Sequence, residues 1–113
     1  MPESFARGAL TEAVFYILLS LYSPLHGYAI MQNIDRLSGG RVTLGAGTLY
    51  GAINTLLEKG WIIGTTDGGA TRKKDYIITD TGRKVVLKEM ERLEELLEKG
   101  NKIAGGTNRE NHN

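Results

Sequence analysis

The chain has 113 residues, no cysteine and a formal net charge of +1 from 14 basic and 13 acidic side chains. This length suits a single domain with a core of its own. Without cysteine, a disulfide framework, a thiolate zinc site and a cysteine nucleophile are excluded. The near-neutral total argues at first sight against a nucleic-acid partner, since nucleic-acid-binding domains usually carry a basic excess.

The beginning of the chain shows no targeting or membrane signal. It lacks the basic-then-apolar order of a secretory leader. The apolar stretch at 14–21 is also shorter than the roughly 20 residues needed to cross a bilayer. We therefore expect a cytoplasmic protein with no membrane partner.

The first predicted helix, over about residues 10–21, is apolar on nearly all sides. One face has helical spacing, and a second stripe lies beside it: Leu10, Ala13, Val14, Ile17, Leu18 and Leu21, then Phe15, Leu19 and Tyr22. Such a helix must be buried on nearly all sides. In so short a chain, we expect a second subunit to supply part of the cover.

Two further helices are predicted over residues 27–37 and 46–59. Glycines mark both ends, with Gly39 and Gly40 after the first helix and Gly60 after the second. His26 opens the first of these helices, and we interpret it as a capping or hydrogen-bonding residue rather than a catalyst.

Two β-rich segments, 61–66 and 75–79, flank an Asp-Gly-Gly sequence that is typical of a hairpin turn. Thr79 or Thr81 can cap a last helix that runs to about Lys99. The order predicts a mainly α (α+β) fold, a winged helix-turn-helix with a two-stranded wing and a C-terminal dimerisation helix. The predicted divisions are 1–80 for DNA binding, 81–99 for dimerisation and 100–113 for a disordered tail.

The third predicted helix carries an unusual outer face. Small and neutral residues occupy it: Gly47, Thr48, Gly51, Asn54 and Thr55. Exposed helical glycines cost roughly 1 kcal/mol each relative to alanine, so a close neighbour should compensate. Entry into a DNA major groove is one explanation, with Asn54 bonding adenine and Thr48 and Tyr50 holding phosphates. Tight packing against another helix explains the glycines equally well.

The hairpin favours the DNA interpretation. Arg72, Lys73 and Lys74 follow its turn and would form a basic tip beside the third helix. Such a wing neutralises phosphates, although an isolated basic hairpin would be no more than a solvated surface.

The residues support no enzyme activity, metal site or cofactor. Two distant histidines and no cysteine assemble neither a nucleophilic triad nor a transition-metal cluster. The glutamates of the last helix alternate with basic residues, which predicts a solvated face with ion pairs: Glu89, Glu91, Glu94, Glu95 and Glu98.

A coiled-coil-like seam is predicted on the last helix. Its members recur four and three residues apart: Val86, Met90, Leu93 and Leu97. Together with Phe15, Leu19 and Tyr22 they predict a homodimer interface. These residues could line an apolar effector pocket between subunits, or they could form an ordinary dimer core.

Several of these segments resemble the PadR family of bacterial transcriptional regulators. The resemblance lies in His-Gly-Tyr-Ala-Ile from His26, Gly-Thr-Leu-Tyr-Gly-Ala-Ile from Gly47, Leu-Glu-Lys-Gly-Trp-Ile from Leu57, and the wing segment from Arg72 to Gly82. It covers about residues 9–99, and Gly51 stands where many members have proline.

The resemblance implies a homodimeric, usually repressing, factor on a palindromic operator in double-stranded DNA. It also implies response to a small hydrophobic or phenolic effector. By resemblance, Thr48, Tyr50 and Gly51 belong to the recognition helix and the wing basics bind phosphate. The full predicted DNA-binding set is Tyr28, Thr43, Gly47, Thr48, Tyr50, Gly51, Asn54, Arg72, Lys73 and Lys74.

Two other functions remain open: a winged-helix protein–protein module, and a dimer that binds small molecules without a role on DNA. The distribution of charge bears on them. Residues 61–84 hold five basic against three acidic side chains, and residues 85–99 hold three against five. The total of +1 therefore conceals a basic wing and an acidic dimerisation helix, which favours the DNA interpretation.

Overall fold

Four helices surround a small antiparallel sheet in the computed structural model, which describes residues 9–65 and 74–105. The elements in chain order are α1 (Glu12–Ser20), β1 (Leu25–His26), α2 (Gly27–Leu37), α3 (Ala46–Lys59), β2 (Ile62–Gly64), β3 (Asp75–Ile78) and α4 (Asp80–Ala104). The predicted mainly helical winged fold is confirmed.

Local capping explains where the helices begin. The Thr11 hydroxyl accepts a hydrogen bond from the Val14 N–H at 3.1 Å, which starts α1. His26 Nδ1 accepts from the Ala29 N–H at 3.2 Å at the start of α2, so the capping interpretation of His26 is confirmed. Thr79, rather than Thr81, caps α4. These side chains satisfy backbone donors that have no partner within the helix.

Within residues 9–65 and 74–105, the sheet has three strands in the order β1–β3–β2, one more than the sequence predicts. In the added pairing, Leu25 lies opposite Tyr76 and His26 lies opposite Asp75. A two-residue strand has too few positions to show an alternating pattern, so this pairing left no periodic signal. The hairpin turn predicted at residues 67–69 lies outside the described residues.

The core lies where α1, α2 and α3 meet the sheet and the first turns of α4. Its members are buried aliphatic side chains with one tyrosine: Val14, Ile17, Leu18, Leu21, Ile30, Ile34, Leu49, Ile53, Leu56, Ile62, Tyr76, Ile78 and Val86. Val86 is 1% exposed within its own chain. Its predicted place in the dimer seam is therefore wrong, because a side chain already covered by its own core offers no surface to a partner.

Helix α4 continues to Ala104, past the predicted end near Lys99. Gly105 ends it in the left-handed conformation, at a φ of 71°. The tail predicted from residue 100 is therefore wrong for 100–104, where the ion pair between Lys102 and Glu98 (3.8 Å) supports another helical turn. Residues 106–113 lie outside the described part of the chain.

The C-terminal half of α4 projects from the rest of the molecule. The chain measures 60 × 28 × 22 Å, and its radius of gyration is 16.5 Å against about 13 Å for a compact chain of this length. Large apolar side chains are exposed along this helix: Leu87, Met90, Leu93, Leu96, Leu97 and Ile103. In the described residues, the structure has no helix of the length and apolarity that a bilayer crossing requires.

Candidate nucleic-acid interface

Helix α3 separates a buried aliphatic face from an exposed face of small neutral residues. Leu49, Ile53 and Leu56 are fully buried and fix the helix against the core. Gly47, Thr48, Gly51 and Asn54, all predicted to contact DNA, lie exposed on the other side. The structure thus brings these four predicted residues together on one surface, which carries no acidic side chain before Glu58.

The two glycines of this face border open space. A methyl group built on Gly47 or Gly51 would have no heavy atom within 4 Å in the described part of the chain. Packing against any helix in the described part of the chain therefore does not explain these glycines. The backbone at these two positions is therefore accessible to a molecule outside the subunit.

Tyr50 lies on the flank of α3, and its side chain packs against the start of α2. Its phenol lies against Gly27, where an added methyl group would overlap the phenol oxygen. Its hydroxyl also adds to burial in raising the pKa of the Tyr76 phenol. Tyr50 is still 42% exposed, so it both holds α3 in place and contributes to the outer surface.

Tyr28 lies on α2, and Thr43 lies in the turn before α3. Tyr28 is 61% exposed. The Thr43 hydroxyl donates a hydrogen bond to Asp35 Oδ1 at 3.3 Å, which ties the turn back to α2.

The wing is described at its base only. Lys74 is exposed, and its aliphatic stem lies over Gly64 of the neighbouring strand. Arg72 and Lys73 lie outside the described residues. The predicted basic tip therefore stays a prediction for those two residues.

A cleft of about 370 Å³ opens between α1 and α4. It is lined by Leu10, Thr11, Glu12, Phe15, Tyr16, Glu89, Arg92 and Leu93. Phe15 and Leu93 belong to the predicted dimer and effector set, whereas the polar members of the lining were missed.

Glu89 lies in the wall of this cleft and is 3% exposed. It accepts two hydrogen bonds from Arg92, at 2.8 and 2.6 Å. Arg92 lowers the pKa of the Glu89 carboxyl below its ordinary value, against the opposing effect of burial and with help from the Leu10 N–H. The prediction of a solvated glutamate is wrong for Glu89, because the start of α1 covers this turn of α4.

The ion-pair prediction for α4 is confirmed at Glu95 and Glu98. Glu95 lies 3.4 Å from Lys99, and both side chains are more than half exposed.

The other predicted interface residues differ in their surroundings. Leu19 is half-buried against the core, and Tyr22 is 38% exposed beneath the Arg83 guanidinium, 4.7 Å from the ring centre. Met90, Leu93 and Leu97 are exposed on α4, as an uncovered seam requires. Leu87 lies on one side of this seam and Leu96 and Ile103 lie on the other, and together with the seam they form the apolar row of α4. These three residues were missed, although the seven-residue spacing of Leu96 and Ile103 could have revealed that pair.

Comparison with known proteins assigns a family to this arrangement. The model of the transcriptional regulator PadR-like family matches residues 15–89. An uncharacterized 37.1 kDa protein in transposon TN4556 of Streptomyces fradiae is 37% identical over 79 residues. That alignment covers 69% of this chain, but the chain spans only about a fifth (22%) of the length of that relative.

Solved structures of transcriptional regulators share the fold. A regulator from Clostridium thermocellum is 25% identical with a TM-score of 0.68, over 88% of this chain and 97% of that one. A PadR family regulator from Eggerthella lenta is 25% identical with a TM-score of 0.64, over 80% and 76%. RosR of H. salinarum is 25% identical with a TM-score of 0.62, over 74% of each chain. The chain belongs to the PadR-like family, whose members are transcriptional regulators rather than enzymes, and it has the fold of the solved regulators.

Proposed function

We propose that the protein is a homodimeric repressor that binds a palindromic operator in double-stranded DNA. The observation that carries the proposal is the outer face of α3, which is exposed, has no acidic side chain before Glu58 and is lined by two glycines that border open space. A protein surface with this low profile suits close approach to the walls and floor of a major groove.

Each residue type on this face suits a particular contact. The Asn54 amide can pair with the N6 and N7 edge of adenine, which gives sequence readout. Thr48, in the first turn of α3, can donate to a phosphate beside the helix N-terminus. The wing basics Arg72, Lys73 and Lys74 would neutralise flanking phosphates without reading sequence.

Selection of genomic fragments by the purified protein tests the operator. We expect an inverted repeat whose half-sites lie about one helical turn apart. Asn54→Ala should relax specificity at one base step in each half-site. An equal loss of affinity on every DNA sequence would contradict base readout by Asn54.

The wing has a test of its own. Replacing Lys73 and Lys74 by alanine should weaken binding to all sequences and flatten the dependence of log K on log salt by about 0.9 for each lost contact. Lys88→Ala, which removes one exposed charge from α4, is the control. If affinity and slope stay unchanged in the wing variant, the wing does not bind phosphate.

The homodimer is supported by the apolar row on α4. Six large apolar side chains on one projecting helix form a surface that a subunit on its own leaves in contact with water. Pairing of two such helices, with α1 alongside, would cover it. A palindromic operator would follow, because a dimer with two-fold symmetry presents two identical copies of α3 to the DNA.

The cleft between α1 and α4 is our candidate effector site. Its lining joins Phe15, Tyr16, Leu10 and Leu93 to a few polar groups, a composition that suits a small hydrophobic or phenolic molecule. A true effector must change the affinity for DNA, because linkage between two sites is reciprocal. A ligand that binds without changing operator affinity would favour a small-molecule-binding dimer with no role on DNA.

A further inference from the structure

An ion pair connects the start of α1 with the turn that leads into α3. Both terminal nitrogens of Arg41 face the Glu12 carboxylate; Nη1 donates to Oε1 at 3.1 Å and Nη2 to Oε2. The two residues are 29 positions apart in the chain, so the pair is a tertiary contact rather than a local one. Tyr16, one turn further along α1, also faces the Arg41 guanidinium.

The turn places Arg41 between the two helices of the helix-turn-helix. The Arg41 N–H donates to the Ser38 carbonyl at 3.2 Å, and the next N–H, of Val42, donates to Ser38 Oγ at 3.0 Å. The backbone at Arg41 is thereby held to the end of α2, four residues before the N-cap of α3. Its side chain can therefore change partner without a change in the fold.

Arg41 is also the only basic residue between Arg36 and Lys59. The exposed face of α3 has no cation before Lys59 at its C-terminal end, and the Arg36 side chain is hydrogen-bonded to the Asn33 side chain. A helix that enters a groove between two phosphate backbones needs positive charge at its flank. In the turn before α3, Arg41 is the residue that can supply this positive charge.

The ion pair is exposed, with 62% of the Arg41 side chain and 45% of the Glu12 side chain accessible to solvent. Exposed pairs of this kind contribute little, because water and ions compete for both charges. A guanidinium that binds a carboxylate with two nitrogens binds a phosphate in the same way. Exchange of one anion for the other therefore costs little.

We propose that Arg41 binds a DNA phosphate beside α3 and that Glu12 competes with that phosphate for it. This inference rests on the proposed function. It adds Arg41 to the residues that contact DNA and assigns Glu12 as an anion of the same chain that competes with the DNA phosphate. Glu12 acts as a built-in anion that lowers affinity for every DNA sequence alike. Removing the Glu12 charge leaves Arg41 free to bind phosphate and so raises DNA affinity. When Arg41 is absent, the charge of Glu12 no longer affects DNA affinity.

The test is a double-mutant cycle with Glu12→Gln, Arg41→Gln and the combined variant. Binding to the selected operator and to a random duplex is measured by fluorescence anisotropy at several salt concentrations. Arg41→Gln should weaken binding to both duplexes about tenfold and lower the salt slope by about 0.9 for each subunit. Glu12→Gln should tighten both about two- to fivefold, the range of an exposed ion pair. The combined variant should match Arg41→Gln alone.

Glu95→Gln is the matched control, since it removes the same charge from an exposed ion pair on α4. It should leave DNA affinity unchanged, and thermal unfolding should show that all variants fold. The inference is overturned if Glu12→Gln and Glu95→Gln act alike, or if Glu12→Gln still tightens binding when Arg41 is absent. It is also overturned, with the proposed function intact, if the wild type binds DNA and Arg41→Gln binds with the same affinity and slope. A wild-type protein that binds no DNA overturns both.

Discussion

Gly82 and Gly100 lie in the same helix and are glycines for different reasons. A methyl group on Gly82 would overlap the Trp61 carbonyl oxygen and come within 2.6 Å of Ile78 Cγ1. A methyl group on Gly100 would have no described heavy atom within 4 Å. Glycine at position 82 is needed for the close packing of α4 on the sheet. At position 100 there is room for a side chain, so packing within the described chain does not require glycine there.

This contrast predicts opposite effects of one substitution. Gly82→Ala should lower the free energy of unfolding by about 1–3 kcal/mol, because backbone atoms resist displacement. Gly100→Ala should raise it by up to about 1 kcal/mol through helix propensity. Urea unfolding of both variants measures the difference, and equal changes would show that α4 does not pack on the sheet as described.

Glu89 makes stability depend on pH in the acidic range. Its pKa in the folded chain is lowered from the ordinary value of 4.5, first by the Arg92 hydrogen bonds. A lowered folded-state pKa contributes stability above pH 4.5 and loses it as the pH falls through the folded-state value.

We therefore expect the free energy of unfolding to decrease on acidification below about pH 4.5, and Glu89→Gln to flatten that decrease. At neutral pH the same variant should cost about 1 kcal/mol through the weakened bonds to Arg92. Urea unfolding at pH 3 to 7 checks both, with Glu94→Gln on the exposed side of α4 as the control. An unchanged pH profile in Glu89→Gln would contradict the role of this carboxylate.

At the scale of elements, the helices α2 and α3 begin and end where the sequence predicts. Their boundaries depend on local chemistry, namely the His26 cap and the glycines after each helix. Strand β1 and the burial of Glu89 were not predictable in the same way. Each depends on a partner distant in the chain, which a pattern within one segment does not contain.

Helix α3 offers a test of whether its glycines serve function or stability. Gly47→Ala and Gly51→Ala should each stabilise the protein by up to about 1 kcal/mol, since both positions border open space. Both should also weaken operator binding, because the added methyl groups occupy the surface that approaches the DNA. Paired unfolding and binding measurements check this; stabilisation with unchanged affinity would remove α3 from the interface.

At the scale of the whole molecule, the projecting half of α4 predicts self-association. Leu97 is 62% exposed, so Leu97→Asp should leave the fold of one subunit intact while placing a charge in the apolar row. We expect sedimentation to show a monomer at micromolar concentration, with operator affinity lower by a factor of about 10² or more.

Lys99→Asp is the control for that experiment, because it introduces an aspartate on the side of α4 that carries the ion pair between Lys99 and Glu95. It should remain a dimer. A Leu97→Asp variant that still sediments as a dimer would show that the subunits meet elsewhere.

Strand β1 also bears on the geometry of the operator. It pairs with β3, the second strand of the wing hairpin, and its last residue, His26, caps α2. Tyr50 in turn fastens α2 to α3. The base of the wing and α3 thus belong to one packed unit, so the proposed DNA contacts of the two elements lie at a fixed distance from each other. If the proposed homodimer forms, we expect it to reject a base pair inserted inside a half-site. Tolerance of altered length would then lie at the centre of the operator, where only the pairing of the two copies of α4 would set the spacing.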